Sequence, residues 1–268
     1  MVCGQIGSAL AEEMFDRVGP GGAVLLRLAW AAVLVLAIRR PILRGQSRVE
    51  RFLLVAFGIA VAGMNLAFYM SIQHIALGTA VTIEFIGPLG VGCAGSRRVL
   101  DVLWVVVAGA GIVLLTHGVF GHVGSLGVFF ALVAGLFWAG YILLSARLGQ
   151  TVDHGTTLAA GMTIACVCVL PVGVAEGGSE LLDPAWLALG AGVGALSSAI
   201  PYAFELQALR RIAPPAFGVL MSLEPAIAAL IGFAVLGQTI RLRTACGIAL
   251  VVIAAARILR RTQVDSRE

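Results

Sequence analysis

Four ionisable side chains, Arg27, Glu84, Glu205 and Glu224, lie inside long apolar runs of this sequence. A charge at the centre of a bilayer costs about 2.5–3.5 kcal/mol even on the mildest scale, so such groups mark either substrate paths or ion pairs. A carboxylate there can hold a proton or an ammonium group, and a guanidinium can hold a carboxylate. We therefore expect the glutamates to line a polar cavity. For Arg27 the sequence favours the alternative, a structural ion pair with one glutamate.

Prolines near these glutamates predict breaks in the helices that carry them. Pro88 has no N–H, so the carbonyl of Glu84 would lose its helical partner, and Pro225 has the same effect on Met221. Pro201 predicts a kink in a later helix. Carbonyls without a hydrogen bond need protein or water partners inside a membrane, which suits a wet cavity. A plain proline kink with no site remains the alternative.

Neutral polar and aromatic side chains in the same apolar runs could form further walls of such a cavity. Trp138 and Tyr141 are three residues apart, so they would share one face of a helix. Side chains of these types more often pack or anchor a helix than bind a ligand. The candidates are Asn65, Tyr69, Trp138 and Tyr141, with Gln5 as a further polar group.

The composition indicates an integral membrane protein. Hydrophobic residues make up 60% of the chain and charged residues only 12%, and the mean hydropathy is +1.01. A soluble domain carries roughly 25% charged residues. The positive charge is all arginine, and apart from Arg27 the arginines lie in or beside short loops and in the C-terminal tail, so no nucleic-acid partner is expected. The chain has neither an HExxH metal motif nor a phosphate loop with its lysine, so we expect no enzyme, no metal and no cofactor.

Apolar segments long enough to cross a bilayer predict an all-α, polytopic membrane fold with ten transmembrane helices. The first segment is short, because its apolar part is about half of a span, and this leaves open whether the true N-terminus lies upstream of Met1. The predicted segments are 1–17, 21–38, 51–72, 76–95, 101–117, 123–146, 155–175, 185–209, 214–236 and 242–260.

The second half of the chain repeats a pattern of the first half. One shift along the sequence places Ile75 on Ile212, and the same shift places Pro88 on Pro225. Five helices are an odd number, so the second set would enter the membrane from the opposite side. We therefore predict two inverted five-helix repeats in one membrane domain, residues 1–119 and 120–268. Secondary transporters share this architecture, with the substrate site near the midplane between the repeats.

The arginines predict the orientation. Most of them fall in the loops of one side and in the C-terminal tail, whereas the loop over residues 176–183 on the other side is purely acidic. Because short cytoplasmic loops carry an excess of basic residues, both termini are predicted to be cytoplasmic.

These residues resemble the EamA branch of the drug/metabolite transporter superfamily. In the first half the matching stretches are GSALAEEMF, LRLAWAAVLVL and GMNLAFYMSIQHIALGTAVTIEFIGPL. In the second half they are GLFWAGYILLSARLG, SSAIPYAFELQALRRI and FGVLMSLEPAIAALIGF. The resemblance implies ten helices in two repeats and, in bacterial inner membranes, export of small amino acids and related metabolites by proton antiport. The chain departs from the family at the front, where the family's first helix begins earlier than Met1.

Several functions remain open at this point. The first is a proton-coupled exporter of small amino acids such as threonine and homoserine, and its alternatives are an exporter of another small metabolite or drug and a passive channel or uniporter. A membrane scaffold that transports nothing is a further possibility. The expected partners are a small-molecule substrate, protons and the lipid bilayer. The exact substrate, the stoichiometry and the choice between monomer and homodimer do not follow from the sequence.

Overall fold

A computed structural model of the chain describes residues 2–38, 41, 46–94, 103–104, 107–108, 110–111, 114, 122–201, 204, 223–239 and 241–265. Regular structure within these residues is helical throughout. The helices are α1 (Val2–Glu12), α2 (Phe15–Ile38), α3 (Arg48–Ile72), α4 (Leu77–Glu84), α5 (Ile86–Ala94), α6 (His122–Leu148), α7 (His154–Gly177), α8 (Pro184–Gly194), α9 (Glu224–Leu236) and α10 (Leu242–Asp265). A short 3-10 helix, Gly178–Leu182, precedes α8, and a π turn, Ala195–Ala199, follows it.

Several of these helices are suited to a membrane. The all-helical prediction is confirmed for the described residues. The prediction of ten spans is not tested, because most of the predicted fifth segment, 101–117, lies outside them. Within the described part, the helices that are long and apolar enough to cross a bilayer are Phe15–Ile38, Arg48–Ile72, Gly124–Leu148 and His154–Leu182.

The predicted segment over residues 76–95 is interrupted at Phe85, which agrees with the break that Pro88 predicts. α4 ends at Glu84, and α5 begins after Phe85, whose φ is −62° and ψ is −13°. The cause is Pro88, which has no N–H to offer the carbonyl of Glu84. Gly135 of α6 packs over that carbonyl, since a Cβ at Gly135 would lie 2.6 Å from its oxygen. Glu84 therefore sits at a helix end and not within a continuous helix.

A second irregularity lies after α8. Pro184 occupies the first turn of α8, and the side chain of Asp183 accepts a hydrogen bond from the N–H of Ala185 at 2.7 Å, which fixes the helix start. The helix gives way at Ala195 to the π turn, which ends two residues before Pro201. A π turn and a proline are both recognised causes of helix irregularity. The predicted disturbance near Pro201 is therefore present in the structure.

Helices from the two halves of the chain pack around a shared apolar core. α2 packs on α7 and α8, α3 packs on α6 and α7, α4 packs on α6 and α9, and α1 packs on α8 and α9. Glycines allow the closest approaches, as is common between membrane helices. A Cβ at Gly78 of α4 would lie 2.6 Å from the Cα of Ala229 in α9, and one at Gly194 would lie 2.8 Å from the carbonyl oxygen of Arg27.

Two hydrogen bonds join helix starts in the first half to side chains of the second half. α2 is kinked at Gly19, whose φ of 69° and ψ of 167° are not helical, so a second helical segment starts after it. The N–H of Gly21, at that start, donates to the carboxylate of Glu176 at 2.7 Å. The N–H of Leu77, the first residue of α4, donates to the amide oxygen of Gln238 at 3.2 Å. Both bonds satisfy N–H groups that a helix start leaves without partners.

Candidate functional site

One cavity collects side chains from α1, α2, α3, α4, α6, α9 and the segment after α8. Its volume is about 100 Å³. A single water needs only about 10–15 Å³ of such space, so the cavity can hold several waters or one small solute. The predicted site residues that line it are Arg27, Asn65, Glu84, Trp138, Tyr141, Pro201 and Glu224.

Arg27 is buried, with 7% of its surface exposed, and its guanidinium is held by neutral groups. Its Nε donates to Ser198 Oγ at 2.9 Å, its Nη2 to the carbonyl of Ser197 at 2.9 Å, and its Nη1 to Tyr69 Oη at 3.2 Å. The guanidinium also lies 5.4 Å from the centre of the Tyr69 ring. Arg27 forms no ion pair with any described glutamate, so the expected structural pair was wrong for those residues. Its positive charge therefore has no paired carboxylate in the described part of the cavity.

The carbonyl that holds Arg27 is available because of Pro201. In a regular helix the carbonyl of Ser197 would accept the N–H four residues later, and proline has none. The π turn that contains Ser197 adds to this local disturbance of the helix. The irregularity predicted from Pro201 therefore leaves the main-chain carbonyl of Ser197 free to accept a hydrogen bond from the guanidinium of Arg27 on α2.

Glu84 is also buried, with 7% of its surface exposed, and its side chain lines the cavity. It interacts electrostatically with a like charge on Glu224 and with the opposite charge on Arg27. Among the described residues, no hydrogen bond holds its carboxylate. The carboxylate of Glu84 therefore faces the cavity without a hydrogen-bond partner among the described residues.

Glu224 begins α9 and is paired with α1. Gln5 Nε2 donates to Glu224 Oε1 at 3.1 Å. The other two oxygens of this pair, Gln5 Oε1 and Glu224 Oε2, are buried and have no hydrogen-bond partner among the described groups. Pro225 occupies the first turn of α9, where its missing N–H is tolerated. The predicted effect of Pro225 on Met221 falls outside the described residues.

The neutral candidates form the remaining walls. Asn65 is buried, and its amide nitrogen donates to the carbonyl of Val61 within α3 at 2.8 Å. Trp138 packs edge-on against Phe85, with ring centres 5.9 Å apart. Tyr141 also lines the cavity. These side chains shape the volume around the charged groups.

Other predicted residues do not line the cavity themselves or lie outside the described residues. Tyr69 is completely buried and binds Arg27, but it does not line the cavity. Pro88 interrupts the helix that carries Glu84 without lining the cavity itself. Glu205 lies outside the described residues. The sequence reasoning missed Ser8, which lines the cavity three residues after Gln5. A polar pair at that spacing on one helix face was the available signal.

Residues 125–260 match the model of the EamA-like transporter family. Two relatives, each named threonine/homoserine exporter RhtA, come from Salmonella typhimurium strain LT2 and Escherichia coli strain K12. Each is 41% identical to this chain over 239 residues, which cover 88% of this chain and 80% of the relative. The chain belongs to the EamA-like transporter family.

The resemblance predicted from the motifs is thereby confirmed, and the relatives of this EamA-family chain are named as exporters rather than enzymes. A solved crystal structure of a protein is also similar, with a TM-score of 0.68 and 20% sequence identity. It covers 97% of this chain and is itself covered over 96% of its length. At that identity the similarity supports the fold alone.

Proposed function

We propose that this protein is a secondary-active exporter of small polar amino acids, threonine and homoserine among them, driven by proton antiport across the inner membrane. The observation that carries the proposal is the presence of opposite charges, not paired with each other, around one cavity. Arg27 is held by neutral groups, and the carboxylates of Glu84 and Glu224 face the same space. This arrangement is complementary to a zwitterion. The names of the two relatives support the substrate class.

Arg27 would bind the carboxylate of the amino acid. A guanidinium has five N–H donors, and among the described residues three of them are used, by Ser198, Ser197 and Tyr69. The other two have no described acceptor and would be available to a ligand. Those three bonds also fix the plane of the guanidinium, so little side-chain freedom would be lost when the substrate binds.

The ammonium group would bind on the acidic side of the cavity. Glu84 is suited to this task because, among the described residues, its carboxylate is not engaged in a hydrogen bond. A carboxyl group that holds a proton attracts an ammonium less than an ionised one does. Competition between proton and substrate, combined with alternating access, is sufficient for antiport. The membrane potential adds about 2.3 kcal/mol per charge per 100 mV, so inward proton flow can drive outward substrate.

The contacts between helices support two inverted five-helix repeats with the site near the midplane. If α1–α3 correspond to α6–α8, and α4 corresponds to α9, the contact of α3 with α7 has its counterpart in that of α2 with α8. The contacts α3–α6 and α1–α8 are counterparts in the same way, as are α4–α6 and α1–α9. Secondary transporters built from inverted repeats place their sites between the repeats. Both termini would be cytoplasmic, as the arginine distribution predicts.

Flux measurements in vesicles would test this function. Purified protein is reconstituted with labelled threonine inside, and a pH gradient is imposed in either direction. We expect threonine to move against its own gradient when protons flow the other way, and homoserine to compete. Downhill flux that ignores the pH gradient would indicate a passive uniporter, and absence of flux would contradict this substrate class. Vesicles without protein and vesicles with Glu84→Gln protein serve as controls.

A further inference from the structure

We propose that Gln5 and Glu224 together form the proton-binding site of the antiporter, while Glu84 takes the ammonium group of the substrate. This inference rests on the proposed function and adds a division of labour between the two acidic residues. It follows from the hydrogen bonding of the pair, in which one oxygen of each side chain has no partner among the described groups.

An amide and a carboxyl group can form two hydrogen bonds with each other only when the carboxyl is protonated. Gln5 Nε2 already donates to Glu224 Oε1 at 3.1 Å. The atoms left over, Gln5 Oε1 and Glu224 Oε2, are both buried, and neither has a partner among the described groups. An amide oxygen and a carboxylate oxygen are both acceptors, so they cannot satisfy each other while Glu224 is ionised.

One proton on Glu224 Oε2 removes this mismatch. The new O–H can donate to Gln5 Oε1, which would give both orphaned oxygens a partner at once. Buried polar groups without hydrogen bonds are costly and are rare in native proteins. The pair is therefore arranged to gain one hydrogen bond when Glu224 takes a proton from water and to lose it when Glu224 releases that proton.

The charged and polar groups near Glu224 come from several helices. Glu84, on α4, is the like charge that interacts with Glu224 across the cavity. From α1 the group in contact is the neutral amide of Gln5, and Arg241 and Arg243 at the start of α10 are exposed. Arg27 faces the cavity from α2.

The same geometry explains why proton and substrate would exclude each other. With Glu224 ionised, two carboxylates face the cavity and attract the ammonium group that Glu84 binds. With Glu224 protonated, one of these charges is lost and substrate affinity falls. By linkage, substrate binding must then release a proton, and the two effects are equal in free energy.

The pair can be tested by exchanging its two members. In Glu224→Gln the pair contains two amides and no titratable group. In the double variant Gln5→Glu/Glu224→Gln it again contains one acid and one amide, with their helices swapped. Threonine affinity is measured against pH for each purified protein, and the protonated carboxyl is followed by its infrared band during a pH titration. Glu84→Gln is the matched control, because it removes a carboxyl from the same cavity but leaves the pair intact.

We expect the wild-type affinity to rise by up to about tenfold per pH unit, the limit when one proton is released per substrate bound. In Glu224→Gln the affinity should stay at the wild-type low-pH value at every pH, and one titrating carboxyl band should be lost. The double variant should recover both the pH dependence and the band. Glu84→Gln should keep the band of the pair while losing threonine affinity.

The opposite results would overturn the pair. These are a pH dependence that survives in Glu224→Gln, an infrared titration that Glu224→Gln leaves unchanged, or a folded double variant that recovers neither signal. The infrared titration needs no substrate, so it decides the proton site even if the protein exports another metabolite. Wild-type protein that binds neither threonine nor homoserine would contradict the proposed function, and not the pair.

Discussion

Arg27 Nη2 lies 2.9 Å from the carbonyl oxygen of Ser197, across a sequence separation of 170 residues. The acceptor is a main-chain atom, and it is available because Pro201, four residues later, has no N–H. A residue of the first half is thus fixed by the backbone of the second half. The orientation of the candidate carboxylate-binding group depends on a proline that sits in the opposite half of the chain.

Pro201→Ala should weaken substrate binding. Alanine restores an N–H that competes with Arg27 for the Ser197 carbonyl. A typical hydrogen bond contributes about 0.5–1.5 kcal/mol, so the KM for threonine should rise by about twofold to tenfold. The measurement is initial flux in vesicles at several substrate concentrations. Pro171→Ala, within α7 and away from the cavity, is the matched control. An unchanged KM in Pro201→Ala would show that this carbonyl does not position Arg27.

Arg27→Lys should lose most transport although it keeps the charge. Lysine cannot hold Ser198 and Tyr69 and the Ser197 carbonyl from one rigid fork, as arginine does here. Hydrogen bonds to charged groups are worth about 1.5–3 kcal/mol, so kcat/KM should fall by at least about tenfold. Tyr69→Phe, which removes only one acceptor, should cause a smaller loss. Wild-type flux in Arg27→Lys would refute a role for the guanidinium geometry.

Glu84→Gln should abolish uphill transport of threonine. The amide keeps the shape of the side chain but removes the charge that would attract an ammonium group. Flux is measured with and without a pH gradient, and expression is checked by the amount of protein in the membrane. If the variant transports normally, with its pH dependence unchanged, Glu84 has a structural role at most.

Gly78→Val should destabilise the fold. A Cβ at this position already meets the backbone of Ala229 at 2.6 Å, so a branched side chain must push α4 away from α9. Overpacking of a tight interior costs about 1–3 kcal/mol. Thermal unfolding in detergent should occur at a lower temperature than for the wild type. Gly140→Val is the control, because a Cβ at Gly140 would meet nothing within 4 Å. Equal unfolding temperatures for the two variants would contradict the close α4–α9 contact.

The orientation can be tested with fused reporters. A reporter that is active only outside the cytoplasm should be silent when it is fused after Arg261, because the C-terminal tail carries several arginines. The same reporter inserted in the acidic loop near Glu180 should be active. Activity after Arg261 would reject both the cytoplasmic C-terminus and the count of ten spans.

Much of the site was predictable because polar groups are costly in apolar helices. Arg27, Glu84 and Glu224 stood out against their apolar neighbours, and the structure places all three around one cavity. The cost of burying a charge acts on each residue separately, so it can be seen one position at a time. This is why the members of the site could be proposed without knowledge of the fold.

The partners of these groups could not be predicted in the same way. Gln5 and Glu224 are separated by 219 residues, and no local pattern links them. Pro201 predicts that a carbonyl loses its helical partner, but the identity of the new donor depends on how α2 packs against the segment after α8. Pro88 likewise frees the carbonyl of Glu84, and only the fold shows that this carbonyl lies against Gly135 of α6. The local sequence shows which backbone carbonyl loses its helical partner, but the packing of distant helices determines which group lies against that carbonyl.

If the two halves separate, the hydrogen bonds from Gly21 to Glu176 and from Leu77 to Gln238 must be replaced by hydrogen bonds to water. Both donors are main-chain N–H groups at helix starts, so each needs a water molecule as its hydrogen-bond acceptor when the side-chain acceptor moves away. α3 runs between α2 and α4, which places both starts at one end of the bundle. Separation there must hydrate two helix starts together. Osmolytes that are excluded from protein surfaces favour less hydrated states, so they should shift this protein toward the conformation in which that end is closed.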